Sequence, residues 1–309
     1  MRGRIISWLV APIALGLVMT GLMAGPSAAV TGPNIEEDFV HEYVGLVAFY
    51  DEEGEFIHRC SGSLLSDSVF LTAGHCVERG DGSGEVAAYA RIWFEQDAGA
   101  DYDPVTDTPA TSGYPYTGGI TSELLYNYGF TDLSGANIPQ THDVGLIVID
   151  PVELHSVYPE VDTYAELAPV NYSITDVGTG LGAVVDVSGY GVTRINGPNG
   201  RNTLSYRERL MGSAFIIRTS GTRLTGGYNL QIASNPGGGR VGTCFGDSGG
   251  PILAGGTDIV LAVNSFVQNW SCGGQGFAYR VDTAEVQAWM EEILDDIDPA
   301  LWDEIAPAS

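Results

Sequence analysis

The chain has 309 residues, with 39 Asp plus Glu against 13 Lys plus Arg and a formal net charge of −26. No lysine occurs, so all 13 fixed cations are arginines. Phosphate binding wants a basic surface, so a nucleic-acid partner is not expected. The acidity reads as solubility through net charge, or more sharply as adaptation to high salt. The length suits one large all-β domain or two small ones.

Arg2 and Arg4 are the only early charges, and an apolar run from Ile5 to Met23 leads to Pro26-Ser27-Ala28-Ala29. This pattern predicts a secretory signal over 1–29, cleaved after Ala29. An uncleaved anchor is the other reading of so long a run. No later segment has the length and apolarity of a membrane span. The cysteines are Cys60, Cys76, Cys244 and Cys272. An even count behind a signal favours disulfides over metal thiolates, and the spacings lack the CxxC pairs of a zinc site. Three pairings are open, and the residues alone do not choose among them.

Val44 to Tyr50, Val69 to Ala73, Arg91 to Phe94, Val144 to Ile149, Ala183 to Val187 and Ile259 to Val263 are short apolar runs. Glycine and polar turns punctuate them, so they read as strands. The whole is the pattern of an all-β barrel or sandwich. The stretch 95–141 is rich in turn formers and reads as strands with long loops. Asp97, Asp101, Asp103 and Asp107 could line a calcium loop. They lack the glycine and closing glutamate of a regular loop motif, so a solvated acidic loop is expected and no metal is assigned. After Val281, the residues Val286, Trp289, Met290, Ile293, Leu294 and Ile297 recur at helical spacing. Asp282 can cap that helix, with Glu285 completing a capping box, and Pro299 ends it.

Three segments carry chemistry. Leu71-Thr72-Ala73-Gly74-His75-Cys76 is a strand end with a histidine. Thr141-His142-Asp143-Val144-Gly145-Leu146 places an acid at the mouth of an apolar strand. Gly242-Thr243-Cys244-Phe245-Gly246-Asp247-Ser248-Gly249-Gly250-Pro251 presents a serine among turn formers. A serine hydroxyl becomes a nucleophile only with a base and an orienting acid. His75 suits the base, because imidazole titrates near neutrality. His142 competes poorly: it adjoins Asp143 in sequence, whereas the acid must orient a histidine from another loop. Residue order also excludes rivals. Gly246-x-Ser248-x-Gly250 fits a nucleophile elbow, but that fold runs serine, acid, histidine. No histidine follows Ser248, and the absence of lysine removes a Ser-Lys dyad.

These segments resemble those of the trypsin/chymotrypsin-like serine proteases. Thr72-Ala73-Gly74-His75-Cys76 matches the histidine motif of that family. Gly246-Asp247-Ser248-Gly249-Gly250-Pro251 matches its serine motif. The aspartate motif departs from the family's usual pattern, with His142 where asparagine is more frequent. Cys60-Ser61-Gly62-Ser63-Leu64-Leu65, Gly189-Tyr190-Gly191 and Gly276-Phe277-Ala278-Tyr279-Arg280-Val281 resemble further family segments. The resemblance spans Val44 to Ile297. It implies two antiparallel six-stranded β-barrels and a C-terminal α-helix, with the active site in the cleft between barrels. The expected bounds are 30–160 for a barrel with His75 and Asp143, and 161–281 for a barrel with Ser248. Helix 282–298 and a tail over 299–309 follow.

The resemblance also implies the pairings Cys60–Cys76 and Cys244–Cys272, and a catalytic triad of His75, Asp143 and Ser248. The N–H groups of Gly246 and Ser248 would form the oxyanion hole. The specificity pocket maps onto Gly242, Thr243, Cys244, Ser265, Phe266, Val267 and Gly276. Gly242 stands where family members that cut after Arg or Lys carry an aspartate, so a buried substrate cation would lack a partner. Val267 narrows the pocket, and small or medium apolar side chains before the cut are expected. Asp247 would pair with the Val30 ammonium freed by signal cleavage, with His58 or an arginine as substitutes. The implied protein is a secreted, monomeric serine endopeptidase without cofactor. Its partners would be peptide or protein substrates and protein inhibitors, and it would have no stable membrane association once the signal is cleaved. The other function class is a catalytically silent binding protein on the same fold.

Overall fold

The Val44–Tyr50 strand is buried at every residue, as a continuous apolar run requires. It pairs antiparallel with Phe56–Leu64 on one side and Tyr89–Trp93 on the other. The chain is seen here in a computed structural model, which describes residues 34–100, 118–194, 202–203, 207–234, 240–268 and 274–307, with Val30, Gly32 and Cys272. The expected signal over 1–29 and the acids Asp101, Asp103 and Asp107 lie outside the described residues. Asp97 accepts from Arg207 Nη2 at 2.8 Å.

The described strands form two barrel-like sheets and a separate two-stranded ribbon, Thr193–Arg194 with Asn202–Thr203. The first has seven strands, in the order Ile120–Ser122, Tyr89–Trp93, Val44–Tyr50, Phe56–Leu64, Val69–Thr72, Gly145–Val148, Leu124–Asn127. That is one strand beyond the six expected, because the short Ile120–Ser122 strand adds to the Tyr89–Trp93 edge. In the second sheet Leu210–Arg218, Val184–Gly189, Pro251–Ala254, Ile259–Val267, Gly274–Arg280 and Asn229–Ser234 follow in order. Asn229–Ser234 pairs back onto Leu210–Arg218 and closes the ring. Closure leaves no free ladder edge within the ring. Two short strands, Glu36–Glu37 and Glu166–Leu167, attach outside it.

The two sheets are tied together by buried polar groups. The Arg209 guanidinium donates to Val44 O at 3.0 Å and Phe94 O at 2.9 Å through Nη1, and to Asp38 O at 3.1 Å through Nε. Asp38 accepts from His41 Nδ1 at 2.8 Å and Ser188 Oγ at 2.5 Å. Burial opposes ionisation of Asp38, but these donors outweigh it and hold the carboxyl at about 2. Disulfides join Cys60 to Cys76 and Cys244 to Cys272, with Cα–Cα distances of 6.1 and 5.2 Å.

The C-terminal helix spans Ala284–Ile297 and buries Val286, Gln287, Met290 and Leu294. Its cap is Thr283, whose hydroxyl accepts from Val286 N at 3.3 Å. The sequence pointed to Asp282 for that role. Asp282 instead accepts from Arg280 Nε and from Ser173 N, each at 2.7 Å, so its carboxylate is spent on tertiary contacts. The segment expected as tail forms a second helix, Pro299–Ile305, capped by Asp298. Among the described residues no helix is long and apolar enough to cross a membrane. Replacing Thr283 by alanine removes the cap and should cost about 1 kcal/mol, read as a lower denaturation midpoint at unchanged m-value; an unchanged midpoint would refute the assignment.

Candidate active site

His75 lies in the four-residue helix Gly74–Val77, which follows directly on the Val69–Thr72 strand. Asp143 sits just before Gly145–Val148, the strand paired with Val69–Thr72. Neighbouring strands thus deliver the two residues to the same end of the first sheet. Asp143 Oδ1 accepts from His75 N at 2.8 Å, and Nδ1 lies 3.0 Å from Oδ1 and 2.9 Å from Oδ2. A further donor comes from the second sheet: Ser265 Oγ donates to Asp143 Oδ2. With Nδ1 engaged, Nε2 is the ring nitrogen left for another partner.

Burial favours the uncharged form of both partners in this pair. For His75 the opposing charge and hydrogen bond of Asp143, with Glu78 beyond, prevail and raise the imidazole above 6.5. For Asp143 the His75 and Ser265 contacts likewise prevail and lower the carboxyl below 3.8. Donor atoms of Cys60, His75 and Cys76 fall within 4.8 Å of one another. Both sulfurs are spent in a disulfide, so the group offers no thiolate to a metal.

Ser248 is half-buried at the turn before Pro251–Ala254. The first sheet holds that turn from below. Ser61 N donates to Ser248 O at 2.8 Å, and Ser61 Oγ donates to Gly246 O at 2.8 Å. Gly249 has φ +76°, and a Cβ there would come within 2.1 Å of Thr72 Oγ1, so only glycine fits the close approach. Ser248 and His75 line one cavity of about 400 Å³.

Asp247 points away from solvent. Its Oδ2 accepts from Cys244 N at 2.8 Å and its Oδ1 from Gly191 N at 2.9 Å. Burial pushes the carboxyl up to about 8, and these two N–H donors only partly offset it. His58 is engaged elsewhere, with Nε2 2.6 Å from Cys76 O. Burial lowers its imidazole to about 4, so the ring is neutral and offers Asp247 no cation. His142 is also turned aside: its ring packs on Tyr128 at 4.7 Å.

Of the residues mapped to the specificity pocket, Thr243, Cys244, Ser265, Phe266 and Val267 line the cavity. Gly242 and Gly276 are not among its lining residues, although Gly276 backs onto Thr243. Leu133, Phe245 and Asn264 also line it, with Gln268. Sequence reasoning passed over these. Phe245 adjoins a mapped pocket residue and could have been found; Leu133 comes from a distant loop with no local signal. Among the described residues no Asp or Glu lines the cavity.

The family model described as Trypsin matches residues 41–290. The chain belongs to the trypsin family. Within this family of serine proteases, trypsin delta of Drosophila melanogaster is 25% identical over 243 residues, covering 75% of this chain and 78% of that protein. Trypsin zeta of Drosophila erecta is 24% identical over 211 residues; that alignment covers 67% of this chain and only 64% of that protein's length. A solved structure, HL collagenase, superposes with a TM-score of 0.58 at 19% identity, covering 84% of this chain and 96% of that one. At that identity the likeness shows the chymotrypsin-type fold alone.

An NMR titration of His75 should give a midpoint above 6.5, and Asp143→Asn should lower it, because the carboxylate is what raises it; a midpoint unmoved by that change would refute the assignment.

Proposed function

We propose that this trypsin-family chain is a secreted serine endopeptidase. The observation that carries the reading is that His75, hydrogen-bonded to Asp143, lines the same cavity as Ser248. Ser248 Oγ attacks the scissile carbonyl, and His75 Nε2 takes its proton. Asp143 keeps Nδ1 protonated and stabilises the imidazolium that forms. The backbone N–H groups of Gly246 and Ser248 receive the developing oxyanion, each worth about 3–4 kcal/mol in the transition state. The C–N bond then breaks as His75 protonates the leaving amine. Water, deprotonated by His75, hydrolyses the acyl-enzyme and restores Ser248. Val267 on the cavity wall, and the absence of a lining carboxylate among the described residues, support small or medium apolar side chains before the cut.

A fluorophosphonate probe should label wild-type protein, and Ser248→Ala should abolish both labelling and peptide and ester hydrolysis while the fold survives. Hydrolysis by that variant near the wild-type rate would sink the reading. Binding of peptides by a folded, unlabelled wild-type chain would instead favour a silent binding protein.

Signal cleavage after Ala29 would make Val30 the N-terminus and supply the cation that Asp247 needs. Val30 is 1% exposed, in the core cluster that holds Val241 and Val187 of the second barrel, which supports this route. The sign of the pH effect follows. Without the ammonium, folded Asp247 stays protonated up to about 8, while the unfolded chain ionises it above 3.8. Rising pH therefore erodes stability through that window. The uncleaved chain should lose stability between about pH 4 and 8 by denaturant titration, and the chain beginning at Val30 should not. Parallel profiles for the two forms would defeat the route.

A further inference from the structure

The oxyanion donors named above are backbone N–H groups, and a trans peptide points its N–H opposite to its own carbonyl. The Gly246 N–H shares a peptide with Phe245 O, which accepts from Val192 N at 2.8 Å. The Ser248 N–H shares a peptide with Asp247 O, which accepts from Gly250 N at 2.9 Å. Each donor is therefore aimed from behind, by a bond to the carbonyl of its own peptide.

The peptide between them, Gly246–Asp247, is the joint. Gly246 has φ +98°, and glycine moves between such a conformation and others without a steric penalty. Only its neighbours can keep its N–H in place. They hold the joint at both ends: Asp247 N donates to Cys244 O at 3.1 Å, and Gly246 O accepts from Ser61 Oγ at 2.8 Å. Of these contacts only Ser61 Oγ belongs to a side chain.

Ser61 is wholly buried and comes from the Phe56–Leu64 strand of the first sheet. Its hydroxyl accepts from Tyr190 N at 2.9 Å, so its single proton is committed to Gly246 O. Its N–H donates to Ser248 O at 2.8 Å. One residue of the first barrel thus grips the carbonyls on either side of Asp247. The site is cut to the size of serine: a Cβ at Gly189 would approach Ser61 Oγ to 3.0 Å, and one at Gly250 would approach Ser61 Cβ to 3.2 Å.

We propose that Ser61 is a positioning residue for the oxyanion hole, its hydroxyl keeping Gly246 from turning its N–H away from the developing charge. The assignment rests on the endopeptidase reading and extends it to a buried residue outside the triad. A donor held in advance needs no reorientation during the reaction, and that is the source of its catalytic value. Loss of the hydroxyl leaves ground-state binding alone, so it acts on kcat and not on KM.

The test compares fluorophosphonate-reactive wild type with Ser61→Ala and Ser61→Gly, which lack the hydroxyl and add no atom to the crowded contact. On one peptide amide substrate, kcat should fall at least about tenfold in either variant, with KM within about twofold. Affinity for a peptidyl trifluoromethyl ketone, whose hemiketal oxyanion takes the same place, should fall by the same factor as kcat. A folded variant with wild-type kcat overturns the assignment and leaves the peptidase standing. So does a fall in kcat with unchanged ketone affinity, or a loss confined to KM. Failure of both variants to fold also overturns it, because the hydroxyl would then serve the fold and not the hole. Wild-type protein that does not label overturns the endopeptidase reading itself.

Discussion

A carboxylate taken out of water must find its donors inside the protein, and Asp143 finds them on both barrels. His75 approaches from the first, Ser265 from the second. The residue is wholly buried. A charge placed there with one donor missing would shift its pKa or disturb the packing. The imidazole orientation therefore depends on how the barrels meet, and the contacts that dock them serve the site as well as the fold. Arg209 and Asp38 belong to the same arrangement: the guanidinium donates to the carbonyls of Asp38, Val44 and Phe94, and the carboxylate accepts from nearby His41 and distant Ser188.

Asp247 shows the opposite balance. It is as buried as Asp143, yet its partners are backbone N–H groups without positive charge. The outcome is a carboxyl held near 8 in one case and below its ordinary value in the other. The contrast arises from the charge and number of the donors, not from depth. It identifies Asp247 as the one place in the serine turn where the folded chain is electrostatically incomplete without an added cation.

Much of this was legible in the sequence. The six apolar runs read as strands fall on strands, because continuous burial leaves the same mark on sequence as on structure. His75, Asp143 and Ser248 were legible because each stands at a strand end among small, geometry-bearing neighbours. What stayed hidden was set by tertiary contact. Thr283 and Asp282 are equally good caps by composition, and only Arg280, folded against Asp282, decides between them. Ser265 reads as a pocket residue, but its hydroxyl turns to Asp143. Leu133 reaches the cavity across a loop that no local pattern announces. Ser61, noted only within a matching segment, supports the serine turn through both its N–H and its hydroxyl.

Burial of Val30 also bears on the chain's reactivity towards electrophiles. With no lysine in the sequence, a chain beginning at Val30 has a single primary amine, and that amine would be sealed against Asp247. Cyanate, aldehydes and activated esters would then find no accessible nitrogen nucleophile of this class on the folded protein. Covalent damage of the glycation or carbamylation type would be confined to molecules that have already opened, so the protein's chemical ageing would be governed by its unfolding rate.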